Sequence, residues 1–271
     1  MGYQRFVALG DSCTEGLDDP YPGRTHYRGW ADLVASRFAQ DEPDFRYANL
    51  GVRGRRLDQI VVEQIPTAID LRPDIVALFG GGNDLMISRS FSSEVVARRA
   101  RAAVRLLTDA APTVVVFTLS DISSRMPIVR RMRHRIEAFN DAVRAAADDY
   151  GAVLVDLWPD EAAHDLRYFG PDRLHLGELG HRRVAAHMLE KLGVPFDLSW
   201  LAPLPGDPAA PNLLAHARWV WGSVLPSART RVLNYLTGRS SGDGFVPKRP
   251  ELLPLTDELG TWTRNPIPGN A

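Results

Sequence analysis

A serine placed directly after an apolar run and a glycine is the first group in this chain that could do covalent chemistry. Residues 7–16 read Val-Ala-Leu-Gly-Asp-Ser-Cys-Thr-Glu-Gly. The apolar run 6–9 has the pattern of a buried strand. Gly10 ends it and leaves Ser12 at its carboxyl end, where open α/β sheets bind their ligands. Backbone N–H groups of the following turn would then point at whatever sits on the serine hydroxyl, which suits a developing oxyanion. Three more polar blocks follow in order. Asn49-Leu50-Gly51 comes after the apolar-aromatic segment 45–48. Gly81-Gly82-Asn83-Asp84 comes after the apolar run 75–79. Asp172-Arg173-Leu174-His175 stands near the end of the alternating part of the chain. Each block alone has a bland reading: a helix cap for Ser12, turns for Gly51 and the Gly-Gly-Asn-Asp block, a surface or core histidine for His175. Their joint order, and their placement after strands, outweigh those readings.

The chemistry such a set could perform is nucleophilic. A serine hydroxyl is a poor nucleophile until a base takes its proton. His175 is the candidate base. A carboxylate would hold its tautomer and stabilise the imidazolium, and Asp172 is the candidate for that task. Gly170-Pro171 before them and Gly177 after them indicate a loop, in which the carboxylate can fold back onto the ring. A tetrahedral intermediate needs fixed donors, each worth a few kcal/mol. The candidates are the Ser12 N–H, the Gly51 N–H and the Asn83 side-chain amide. Asp11 and Asp84 are read as structural, holding the turns that present Ser12 and Asn83.

The four blocks resemble those of the SGNH hydrolases, also called the GDSL esterase/lipase family, named for the Ser, Gly, Asn and His they supply. Ser12, Gly51, Asn83 and His175 match one for one and in order, and Asp172 sits three residues before the histidine, as the family requires. The resemblance covers about residues 3–195 and stops short of the C-terminal tail. Cys13 stands where the family name has Leu. The resemblance implies a serine esterase or acyl hydrolase that works through an acyl-enzyme. It implies esters of small or lipid-like acyl groups, sugar O-acetyl groups, lysophospholipids or thioesters as substrates. An acyltransferase using the same residues, with an alcohol in place of water, fits it too. It implies no metal and no organic cofactor.

Three competing signals are set aside. Gly238-Arg239-Ser240-Ser241-Gly242 matches the G-x-S-x-G elbow of α/β-hydrolases. It lacks a preceding strand, and no histidine follows it, because His216 is the last in the chain. His175, Glu178 and His181 do not have the zinc-protease helix spacing, and His181 is expected to open a helix. Cys13 is read as a small packing group.

The elements that must position the four blocks alternate. Strands are expected at 5–9, 45–49, 75–79, 113–118 and 152–157. Helices are expected at 29–40, 57–69 with a break near Pro66, 92–110 capped by Ser92 or Ser93, 129–150 and 180–192. Such alternation predicts a three-layer α/β/α sandwich on a central parallel sheet, of the flavodoxin-like type once the resemblance is admitted. Residues 1–195 are expected to form the catalytic domain. Residues 196–271 are expected to be an extension: a linker marked by Pro203, Pro205, Pro208 and Pro211, two short helices at 212–223 and 227–237 around Pro226, and an irregular end from Gly238. The two helices are expected to pack on the catalytic domain; the sharper reading is that their tryptophan face covers an acyl site, forms a dimer or, with arginines interleaved among the aromatics, makes a membrane-surface contact through 212–237.

With 271 residues, 45% hydrophobic, the chain can bury a large core, and a formal charge of −1 gives no sign of a nucleic-acid partner. Its single cysteine excludes an intrachain disulfide. Together with the lack of a leader-like or membrane-spanning apolar stretch, this leads to the expectation of a cytoplasmic location. Thirty of the thirty-two basic residues are arginine, a bias suggesting a high-GC bacterial genome.

Overall fold

The computed structural model describes residues 2–20, 27–87, 91–123, 125–207, 213–237 and 242–255. The apolar runs form five parallel strands: β1 (Arg5–Gly10), β2 (Arg46–Asn49), β3 (Ile75–Phe79), β4 (Thr113–Phe117) and β5 (Val153–Val155). They lie in the order β5-β4-β3-β1-β2, and a sixth strand, β6 (Arg249–Pro254), runs antiparallel beside β2. Between the strands lie α1 (Ser12–Glu15), α2 (Trp30–Asp41), α3 (Leu57–Gln59), α4 (Ile65–Asp70), α5 (Gly82–Ile87), α6 (Ser93–Thr108), α7 (Arg133–Tyr150) and α8 (Glu178–Lys191).

The parity of each strand sorts its side chains into two cores. Val7, Leu9, Val76, Leu78, Val114 and Val116 face α4, α6 and α7. Phe6, Ala8, Ile75, Ala77, Val115 and Phe117 face α2 and α8. The result is the three-layer α/β/α sandwich that the alternation predicts.

The strand order explains how distant blocks meet. β2, β1 and β3 are neighbours, so the turns after them, carrying Gly51, Ser12 and Asn83, emerge side by side at one end of the sheet. The Asp172–His175 segment follows β5, three strand positions from β1, and must be carried back across the sheet ends. A buried histidine helps to place it. His181 in α8 accepts the N–H of Trp30, the first residue of α2, at Nδ1 (3.2 Å), and its Nε2 meets the Leu17 carbonyl just beyond α1 (3.2 Å). That seam fixes the start of α8 against α1 and α2. His175, six residues upstream, lands over Ser12.

The structure departs from the sequence reading in the tail and at two prolines. The end expected to be irregular supplies β6. Arg249 Nε donates to the Tyr47 carbonyl (2.8 Å), and Lys248 pairs with the buried Asp32. The sheet is therefore mixed rather than wholly parallel. Pro250 and Pro254 hide this strand from a propensity reading, although an edge strand tolerates proline. The expected break near Pro66 and the expected division at Pro226 are both wide π-type turns in continuous helical runs, over Ile60–Gln64 and Val220–Val224. The N–H just before each proline reaches back five residues, Ile65 to Ile60 and Leu225 to Val220. The extra residue relieves the clash of the proline ring with the preceding turn. α9 (Leu213–Trp219) and α10 (Leu225–Thr237) are thus one run over 213–237. Residues 208–212 of the linker, 238–241 of the G-x-S-x-G match and the end from 256 lie outside the described residues. Among the described residues, no helix is long and apolar enough to cross a membrane.

Candidate active site

Gly10 has φ +150, and a Cβ there would lie 2.0 Å from the Phe79 carbonyl oxygen. Only glycine lets β1 turn this tightly into α1. Asp11 then caps α1, accepting the Cys13 N–H at 3.2 Å, and Ser12 opens the helix. Its backbone N–H has no acceptor among the described residues.

The Ser12 hydroxyl lies 2.9 Å from His175 Nε2, and His175 Nδ1 lies 2.6 Å from Asp172 Oδ2. The Asp172 contact assigns the ring proton to Nδ1, so Nε2 is left to accept from the serine. The other carboxylate oxygen of Asp172 accepts the N–H groups of Leu174 (2.9 Å) and His175 (3.0 Å). This close return needs a sharp bend, and Arg173 provides it in the left-handed region at φ +62. The loop is closed by the Phe169–Leu176 bridge and by Gly170 N–H donating to the His175 carbonyl at 2.8 Å.

Burial pushes the His175 imidazole towards lower pKa. The hydrogen bond and charge of Asp172, with the charges of Asp18 and Asp11, outweigh it, so the net shift is upward. Burial likewise favours the neutral form of Asp172, but the bonds from His175 and the loop N–H groups prevail and hold the carboxyl below the usual range. Asp11 is different. Burial dominates and raises it to about 6.

Asn83 Nδ2 donates to Asp11 Oδ2 (3.2 Å) and to the Arg55 carbonyl (3.1 Å), which fixes the amide facing the Ser12 turn. Asp84 accepts the Leu57 N–H at the start of α3 (2.9 Å) and a bond from Arg99 (3.2 Å). Gly51 differs from the expectation drawn for it. Its N–H donates to Asn49 Oδ1 at 3.0 Å, and a Cβ would lie 2.8 Å from the Glu15 nitrogen. Its glycine character is explained by the close passage of this turn over α1.

Asp18 and Arg125 at the site go unread in the sequence, and Trp219 reads there only as one aromatic of the extension's first helix. Asp18, at φ +68, brings its carboxylate within 4.8 Å of both Asp172 and His175. Burial, then the charge of Asp172, raises its pKa. Arg125 is buried and lies over the Phe169 ring at 3.7 Å. It donates to the carbonyls of Arg173 (3.0 Å), Asp121 (3.1 Å) and Ala163 (2.6 Å), tying the Asp172–His175 loop to two neighbouring segments. Burial lowers its pKa to about 9, which leaves it charged at neutral pH. Trp219, from the extension, donates through Nε1 to the Asp172 carbonyl at 2.9 Å. Nothing local marks their place at the site; apart from the Asp121 carbonyl, the partners named here are far away in the chain.

The groups set aside also have defined surroundings. His181 is fully buried, and burial brings its pKa down to about 3. Burial drives the Cys13 thiol well above its ordinary value, which disfavours the thiolate a nucleophile needs. Asp18, Asp172 and His175 could offer a metal one atom each within 4.8 Å. Both imidazole nitrogens already face Ser12 and Asp172, so an ion there would have to break that relay.

Beside Ser12 opens a cavity of about 470 Å³. Its wall is mainly apolar, with Leu85, Met86, Ile136, Leu157 and Val184, and Pro226, Ser227 and Thr230 of α10 also line it.

Known proteins share this architecture. The profile of the GDSL-like Lipase/Acylhydrolase family matches residues 8–183. Solved structures with the same fold include an alpha/beta hydrolase from the metagenome of Lake Arreo, Spain, at 22% identity and TM-score 0.59, covering 73% of this chain and 99% of that one. An acetyl xylan esterase from Geobacillus stearothermophilus aligns at 19% identity and TM-score 0.60, over 73% and 98% of the two chains. A lipase/acylhydrolase from Enterococcus faecalis aligns at 20% and 0.56, over 70% and 95%. No curated protein matches by sequence. The structural relatives establish the fold, and the profile spans most of the sandwich, including all four blocks. The chain belongs to the GDSL-like lipase/acylhydrolase family of ester-cleaving hydrolases.

Proposed function

We propose that the protein hydrolyses carboxylic esters through an acyl-enzyme formed on Ser12. The observation that carries this reading is the series Ser12 Oγ–His175 Nε2–Asp172 at 2.9 and 2.6 Å. His175 takes the serine proton as Oγ attacks the carbonyl carbon, and Asp172 steadies the imidazolium. His175 then returns the proton to the leaving alkoxide, and the ester C–O bond breaks. Water, deprotonated by the same imidazole, attacks the acyl-serine, releases the acid and restores the hydroxyl. The Ser12 N–H, which has no acceptor among the described residues, and the Asn83 amide are the proposed oxyanion donors, the amide by turning one of its two N–H groups from Asp11 or the Arg55 carbonyl to the substrate oxygen. The Gly51 N–H can join them only by sharing or leaving Asn49 Oδ1. The apolar cavity wall favours an acyl group with hydrocarbon character over acetyl.

A panel of p-nitrophenyl esters, from acetate to dodecanoate, with fluorophosphonate labelling, tests the proposal. Ser12→Ala should abolish both turnover and labelling, and Cys13→Ala should keep both. Label mapped to any residue other than Ser12 would overturn it.

A further inference from the structure

Among the described residues, the outer side of the helical run 213–237 has no partner. Leu214, Trp221, Leu225, Leu233 and Leu236 are all exposed, Trp221 and Leu236 by more than 70%. With Arg218 and Arg229 they fall at spacings of three and four, 214-218-221-225-229-233-236, which places them on one stripe of the helix. From Pro208 to Gly242 the sequence holds four arginines and no acidic residue, in a chain whose net charge is −1. Neither Arg218 nor Arg229 has an acidic partner among the described residues. Pro226, Ser227 and Thr230 of the same run are exposed yet line the cavity beside Ser12, so this helix forms part of the cavity mouth. Trp219 pins it to the Asp172 loop.

We infer that this helix docks on an anionic lipid surface and holds the cavity mouth against it, so that a lipid-borne ester can enter. Apolar side chains interleaved with arginine, without acids, are what an interfacial helix needs: hydrocarbon for the acyl boundary and cations for the headgroups. A second copy of the chain is a poor occupant. A two-fold contact would set the same stripe against itself and bring four arginines into the contact with no acid from either stripe to pair them. The docking step stands independently of the chemistry; delivery of an ester to Ser12 rests on the esterase reading above.

Flotation of the full chain with vesicles of phosphatidylglycerol and phosphatidylcholine, against phosphatidylcholine alone, tests the inference. The protein should float with the anionic vesicles and release as salt is raised. The double variant Trp221→Ser/Leu236→Ser should lower the partition coefficient by roughly tenfold or more. Arg218→Gln and Arg229→Gln should each lower it roughly fivefold. All variants should hydrolyse dissolved p-nitrophenyl butyrate at the wild-type rate, because none touches the site, while cleavage of a vesicle-embedded ester falls with binding. Wild-type protein that stays with the buffer, or variants that float equally well, would overturn the inference. So would a dimer in sedimentation that the same substitutions dissociate. If Ser12→Ala floats normally and the wild type cleaves no ester, the esterase reading fails and docking survives.

Discussion

The indole N–H of Trp219 donates to the backbone carbonyl of Asp172 across 2.9 Å. A residue outside the family-matched segment thus holds the very residue whose carboxylate orients His175. The Arg173 guanidinium lies over the same indole, 4.6 Å from its centre. Elsewhere in the extension, the Phe245 ring lies 4.3 Å from the guanidinium of Arg53, which lines the cavity. The extension is fastened to the sandwich at the loops that carry Asp172 and Arg53 and, through β6, at the sheet edge.

Trp219 should therefore act as a positioning residue. Trp219→Phe keeps an aromatic ring, though a smaller one, and deletes the donor. It should lower kcat about threefold to tenfold with little change in KM, the scale of one hydrogen bond. Trp219→Ala also empties a buried site, and should lower stability by up to about 3 kcal/mol in urea unfolding. Wild-type kcat in Trp219→Phe would show that the bond does not align the loop.

Asn83→Ala removes a donor whose bond to the substrate oxygen should strengthen in the transition state. We expect kcat to fall by about 10²–10³ with a smaller change in KM. Single-turnover measurement of acylation checks it; an unchanged acylation rate removes Asn83 from the oxyanion site.

The acidic limb of kcat/KM should follow His175, whose imidazolium is favoured by Asp172, Asp18 and Asp11. Each carboxylate charge raises the His175 pKa, so neutralising one must lower it. Asp18→Asn should shift the limb to lower pH and increase the fraction of activity kept in acid. Because Asp11 titrates at about 6, the wild-type limb belongs to a coupled pair, and Asp11→Asn should reduce it to a single titration. A limb that moves upward in Asp18→Asn would contradict this electrostatic picture.

His181 should make stability pH-dependent. Its pKa falls from 6.5 to about 3 on burial. Below about pH 6.5 the unfolded chain gains a proton that the folded chain refuses until about 3. Stability is thus lost progressively across that window, on the order of a few kcal/mol in all. Asp11 works the other way, since its folded pKa is raised from 3.8 to about 6; between those values the folded chain holds the extra proton. His181→Gln can keep one acceptor and one donor, and should flatten the loss between pH 6.5 and 3 in urea unfolding. An unchanged pH slope would show that His181 does not carry it.

Much of this protein was already determined by its sequence. The five parallel strands are short apolar runs followed by glycine or polar turns, a local pattern that survives any packing. Ser12 and Asn83 are legible as candidates because their blocks come directly after such runs, and Asp172 and His175 because their block completes the ordered series near the end of the alternating part. Tertiary structure decided what depends on partners remote in the chain. Asn49 takes the Gly51 N–H because their turn passes over α1. Asp18 faces the imidazole only because the seam from His181 to Trp30 and Leu17, residues more than 150 positions apart, brings the start of α8 back over β1. Trp219 reads as one aromatic among several until the loop it holds is in place. β6 carries two prolines and no alternation, and becomes a strand because the edge of β2 leaves backbone groups to be paired. Periodicity and turn chemistry report forces between near neighbours; these contacts arise from burial and hydrogen bonding across the whole fold, which no local pattern encodes.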